Sequence, residues 1–221
     1  MTPLLQVIDV RKKISARNMP PPMRSASART PRHSSGWMKI LARLKAEPGL
    51  RVLDIGPTSS TNINFLTNLG HSVYMADLVE EAAKPDWTVP AADGEAPGYD
   101  AESFLGRHMD FGDRRFDVVL LWDALDYIPG ALASAVLRKL AAVLAETGQT
   151  LAFFHSRTSG PETVFCRYHV HDGDTLQTQA GTNHPVVTTY QNRQIESLLQ
   201  ELGSCRFLLA KDNTREVVVS R

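Results

Sequence analysis

Cysteine is nearly absent from this chain of 221 residues: only Cys166 and Cys205 occur, too few and too far apart for a disulfide framework or a metal knuckle. Both stand in strand-like surroundings, where a reduced, packed thiol is the ordinary state, so a cytoplasmic setting is expected. Long apolar runs are also missing. The longest are strand-sized, and none approaches the ~20 residues that a membrane-spanning helix needs. Charge of one sign is not in excess, with 24 Lys and Arg against 24 Asp and Glu, so no global field points to nucleic acid or to a membrane surface. The chain has no G-x-S-x-G elbow, P-loop or H-E-x-x-H pair, which sets hydrolase, kinase and zinc-protease chemistry aside. His169 and His171 put two imidazoles on one side of a strand, as a zinc chelate requires. Nothing nearby supplies a further ligand, so no metal site is expected there, only an exposed hairpin face.

What is present is unevenly placed. Residues 1–35 hold seven Lys or Arg against a single acid, Asp9, together with Pro20-Pro21-Pro22 and a mixture of Ser, Arg and Thr. Such a stretch cannot bury enough apolar surface to fold alone, so a disordered basic arm is expected over 1–35 and a folded domain over 36–221. In that domain Trp37, Ile40, Leu41 and Leu44 share one helical face, and Pro48-Gly49 ends the helix. Strands are expected at 51–55, 72–77, 117–122 and 149–155, with helices at about 61–69 and 130–146 between them. Residues 157–190 read as an insertion that turns back on itself at Asp172-Gly173-Asp174. A helix at about 191–202 and strands at 205–211 and 215–220 close the chain. Buried strands alternating with helices make the class α/β.

The richest stretch is Leu50-Arg-Val-Leu-Asp54-Ile-Gly56-Pro-Thr58-Ser-Ser60, followed by Gly70-His-Ser-Val-Tyr-Met-Ala-Asp77. A strand ends at a carboxylate and a glycine turn, a helix follows, and a second strand ends in another carboxylate, which is the plan of a nucleotide-binding β-α-β unit. Gly56 lets the backbone turn sharply and leaves room for a ligand to come close. Asp77 lies roughly 20 residues past the turn, where a carboxylate accepts hydrogen bonds from a ribose diol. A dinucleotide fingerprint needs G-x-G-x-x-G, and one glycine followed by Pro57, Thr58, Ser59 and Ser60 does not supply it.

Asp54-Ile-Gly56 instead resembles the first motif of the class I S-adenosylmethionine-dependent methyltransferases, an acidic residue and then spaced glycines, with Thr58 and Ser60 standing where the second and third glycines fall. Met109-Asp110-Phe111 resembles the acidic-then-apolar pair that ends the third strand in that family. Phe116-Asp-Val-Val-Leu-Leu-Trp122-Asp123-Ala-Leu-Asp126-Tyr127 resembles its fourth strand and the segment beyond. The series covers roughly residues 36–221 in order.

The resemblance implies a Rossmann-like, seven-stranded, mostly parallel sheet with helices on both faces and an antiparallel closing pair. It implies S-adenosyl-L-methionine as cofactor, held by Asp54, Gly56, Thr58, Ser60, Asp77, Asp110, Phe111 and Trp122, with Asp77 on the ribose and Asp110 on the adenine amino group. The acceptor is expected to be a small molecule lodged under the insertion. An alcohol or phenol acceptor needs a base, for which Asp123, Tyr127 and His155 are the candidates, each with an alternative as a cap or a packing residue. A non-catalytic binding or regulatory protein on the same fold is the competing expectation. The acceptor's identity, the oligomeric state and the role of the arm are not written in the chain.

Overall fold

The computed structural model describes residues 28–90, 98–208, 210 and 212–221. Most of the expected arm, residues 1–27, therefore lies outside the described residues, as do residues 91–97.

The elements run in the order β1 (Arg29–His33), α1 (Ser35–Ala46), β2 (Arg51–Ile55), α2 (Ser60–Asn68), β3 (Ser72–Ala76), α3 (Leu78–Ala82), β4 (Thr88–Val89), β5 (Gly98–Tyr99) and α4 (Ala101–His108). They continue with β6 (Phe116–Trp122), α5 (Gly130–Val143), β7 (Leu144–His155), β8 (Cys166–His169), β9 (Thr175–Ala180), α6 (Asn192–Leu199), β10 (Ser204–Leu208) and β11 (Thr214–Ser220). The central sheet has the order β10-β11-β7-β6-β2-β3. Pairs β3–β2, β2–β6 and β6–β7 are parallel, while β11 runs antiparallel to β7 and β10 to β11. Strand β6 is apolar almost throughout because it is covered on both faces. One core cluster packs around Leu53, Val119, Ala152 and α5, and a second packs around Trp37, Val52, Leu120 and Phe153.

Among the described residues the sheet has six strands, not the seven expected. The stretch that was to form the third strand of the series is spent otherwise. Asp100 accepts a hydrogen bond from the Ser103 backbone and starts α4 over Ala101–His108, leaving only the two-residue ladder β4–β5. Met109-Asp110-Phe111 follows that helix as a turn, and Phe111 packs edge-on against Phe116 with ring centroids 5.0 Å apart.

The N-terminal boundary also differs from expectation. Residues 29–33, assigned by composition to the arm, form β1 and pair with β9, so that β1, β9 and β8 make a separate three-stranded sheet. The cause is non-local. Arg32 donates to Asp212 at 2.7 Å and to Glu216 at 2.7 Å, and its guanidinium lies 4.5 Å over the Phe153 ring. Ser34 then caps α1 by accepting from the Trp37 backbone, and Trp37, Ile40, Leu41 and Leu44 are buried as their spacing predicts. The hairpin turn at Asp172-Gly173-Asp174 also forms where expected, with Gly173 at φ +95°.

Candidate functional site

Open parallel sheets present ligand sites where their strands end, and here those ends bring together Asp54 and Gly56 from β2, Asp77 after β3, Trp122 and Asp123 from β6, and His155 from β7. The turn after β2 is built from small side chains. Ser59 caps α2 by accepting from the Asn62 backbone at 3.2 Å. Asn62, in the first turn of that helix, donates to Asp54 Oδ2 at 2.8 Å and to the Tyr168 carbonyl at 3.0 Å, while its Oδ1 accepts from the Val170 amide at 2.8 Å. One asparagine thus ties the turn to the inserted hairpin. The sequence reading missed it, because Asn near a helix start looks like an ordinary capping residue.

Asp54 is 2 % exposed. Besides Asn62 it accepts from Trp122 Nε1 at 2.6 Å. Burial pushes its carboxyl up to about 6, against the opposing pull of those two donors. Gly56 sits at a close approach: a Cβ there would lie 3.3 Å from Trp122 Cδ1, a tight contact. The protein's own indole lies against the face where that Cβ would stand.

Trp122 sits at φ +49°, the only non-glycine residue with positive φ among those described. This left-handed backbone is costly for a bulky side chain. It coincides with a register shift in the β6–β7 ladder between Leu120 and Trp122. The indole is stacked on Tyr168 of β8, with centroids 4.9 Å apart and planes 10° from parallel. Tyr168 Oη donates to Asp123 Oδ2 at 2.8 Å, and Asp123 Oδ2 lies 3.9 Å from His155 Nε2. The other ring nitrogen, Nδ1, is 2.9 Å from Asp126 Oδ2, which also accepts the His155 backbone N–H at 2.6 Å. Burial raises the Asp123 carboxyl to about 6, with His155 opposing. Burial raises Asp126 also, again opposed by His155. Tyr127 stands edge-on to His155 with centroids 5.7 Å apart and donates to the Thr163 carbonyl at 3.1 Å; burial drives its phenol well upward. The three candidate bases therefore share one cluster, and it is buried.

The residues expected to face a nucleoside stand in a different setting. Asp77 is half-buried at the end of β3, caps α3 by accepting from the Glu80 amide at 3.4 Å, and has its carboxyl raised by burial. Thr58, Ser60 and Asp110 are exposed, and Asp110 accepts from the Gly112 amide at 3.1 Å. Phe111 turns its ring into the core. His169, expected on an exposed face, is 2 % exposed, its ring nitrogens 2.8 Å from Ser59 Oγ and 2.9 Å from Gln179 Oε1. It fastens the hairpin to the turn.

Residues 29–204 match the family described as Methyltransferase domain. No curated protein matches the chain. Among solved structures, a Pyrococcus horikoshii protein, PH0226, aligns at 13 % identity over 85 % or so of both chains (84 % of this one, 88 % of that one) with a TM-score of 0.51. A magnesium protoporphyrin IX methyltransferase from Synechocystis with bound S-adenosylmethionine aligns at 18 % identity, covering 83 % of this chain and 77 % of that one, with a TM-score of 0.47. A 1,6-didemethyltoxoflavin N1-methyltransferase from Burkholderia thailandensis, solved with S-adenosylhomocysteine, aligns at 17 % identity over 85 % and 79 % of the two chains, with a TM-score of 0.43. At such identities the likeness is one of fold.

Proposed function

The chain belongs to the methyltransferase domain family, and from that premise we propose that it transfers a methyl group from S-adenosylmethionine to a small-molecule acceptor. The observation that carries the reading is the placing of Asp54 and Gly56, then Asp77, at the ends of the adjacent parallel strands β2 and β3. Asp77, half-open and short of water, suits a ribose diol. Asp110, Thr58 and Ser60 are exposed. These residues fit the nucleoside half of the cofactor. They do not fit its amino-acid half as long as Trp122 lies over Gly56.

The cofactor would supply an already activated methyl group, so the protein's task is to position the acceptor and to hold its proton. His155 is the best placed base: Asp126 fixes its ring through Nδ1, and Nε2 faces Asp123. Asp123 would steady the charge that His155 gains. Tyr127, bonded to the Thr163 carbonyl, would wall the acceptor.

Titration calorimetry with S-adenosylhomocysteine tests the reading. Binding is expected, and Asp77→Ala should weaken it by about 1–3 kcal/mol, the scale of losing hydrogen bonds to a partly buried carboxylate. Equal affinity in a folded Asp77→Ala protein removes the ribose assignment. A second reading, a non-catalytic binding protein on the same fold, is favoured by the single fact that Trp122 covers the turn.

A further inference from the structure

Trp122 lies against Gly56 and His169 bonds Ser59 in the turn, while Tyr168 stacks on Trp122. Trp122 ends β6, while Tyr168 and His169 belong to the hairpin β8–β9. The hairpin is held to the turn by three polar contacts: Asn62 with the Tyr168 carbonyl and the Val170 amide, and Ser59 with His169. The indole is held by one hydrogen bond, to Asp54, by its stack on Tyr168 and by a tilted contact with Phe153 at 5.7 Å between centroids. Its backbone is in a left-handed conformation that those contacts must maintain. If the hairpin moves away, the indole loses the stack and the strained backbone is free to relax.

We propose that Trp122 and Tyr168 form a two-ring gate over Gly56, closed in this structure, and that the hairpin β8–β9 lifts to admit the amino-acid half of the methyl donor. The proposal rests on the reading of the donor site given above. With the gate closed, Asp54 is paired with the indole, while Asp77 stays half-exposed and Asp110, Thr58 and Ser60 exposed. A nucleoside without the amino-acid tail then needs no opening, whereas the complete donor does. Donor binding and hairpin opening are in this way the same equilibrium.

The ligands that separate these states are 5′-methylthioadenosine, which lacks the amino-acid tail, and S-adenosylhomocysteine, which keeps it. Both are titrated into the natural protein and into Trp122→Gly, a change that removes the indole and tolerates φ +49°. S-adenosylhomocysteine is expected to bind Trp122→Gly at least tenfold more tightly than the natural protein, with methylthioadenosine altered less than threefold. Hydrogen exchange at the Val170 amide, bonded to Asn62 when the gate is closed, is expected to accelerate when the natural protein is saturated with S-adenosylhomocysteine. Tyr168→Leu, which removes the stack and the bond to Asp123, should act in the same direction and decides the matter if Trp122→Gly fails to fold.

Equal gains for both ligands, no gain for either, or undiminished protection of Val170 with S-adenosylhomocysteine bound would each overturn the gate and leave the donor site standing. Binding of S-adenosylhomocysteine only to the variants would make the indole a fixed plug, overturning the gate in favour of the non-catalytic reading. Absence of binding to all three proteins would overturn the gate and the donor site together.

Discussion

Asp54 and Asp123 share one physical condition: each is a buried carboxyl pushed up to about 6 because burial removes water from its charged form. The sign of the consequence follows from proton counting. Between about 4 and 6 the folded chain holds protons that the unfolded chain has released, so these groups stabilise the fold at low pH and lose that contribution as pH rises. A shift of about two units corresponds to about 3 kcal/mol per group. Asp54→Asn, which removes one of the carboxyls that burial raises, should therefore make the decline in stability from pH 4 to 7 less steep. Urea midpoints across that range measure the slope, and an unchanged slope would show that Asp54 does not titrate there. Thr58 and Ser60 behave otherwise. Both are exposed, so they are not what covers Gly56, and replacing both with glycine should leave S-adenosylhomocysteine affinity within about threefold by calorimetry. Stability should fall by about 1 kcal/mol, because glycine loosens the unfolded chain and Ser60 opens α2. At this scale the placing of Asp54, Gly56 and Asp77 at strand ends was legible because strand-end spacing is a local signal. Asn62 was not, since its partners Tyr168 and Val170 lie 106 and 108 residues away.

Among the elements, β1 shows how composition misleads. Arg29–His33 has no apolar pattern to announce a strand, and it becomes one because β9 offers an edge and Arg32 finds Asp212 and Glu216. Glu216 is almost wholly buried and also accepts from Ser34 Oγ at 3.1 Å and from the Gly36 amide at 2.7 Å. Removing the guanidinium leaves that carboxylate short of its charged partner, which costs about 3 kcal/mol or somewhat more. Arg32→Met is accordingly expected to lower the thermal midpoint by roughly 10 °C for a domain of this size, followed by circular dichroism. A shift under about 2 °C would mean that Ser34 and Gly36 satisfy Glu216 alone. Helix α1, strands β2 and β6 and the β8–β9 hairpin were legible, because each is set by its own periodicity or by its turn residues. The stretch ending at Met109-Asp110-Phe111 was not. Its acidic-then-apolar pattern suits a strand end, but the capping Asp100 and the helix-forming residues after it prevail locally.

For the whole molecule the class of fold was readable, because alternating buried strands and helices admit few arrangements, and the strand number was not, because it depended on that one stretch. No helix among the described residues is long and apolar enough to cross a membrane, in line with the strand-sized apolar runs of the sequence. The pairing of β1 with β9 has a further consequence, concerned with time. Arg29 lies opposite Gln179, so the first described strand to leave the ribosome has no partner until most of the chain has been made. At synthesis rates of about 5–20 residues per second, that is a wait of roughly 8–30 s. Strands β2, β3 and β6 pair with one another over shorter separations and can assemble meanwhile. The hairpin sheet, and with it the cover over Gly56, is then completed late, after the strands that it covers.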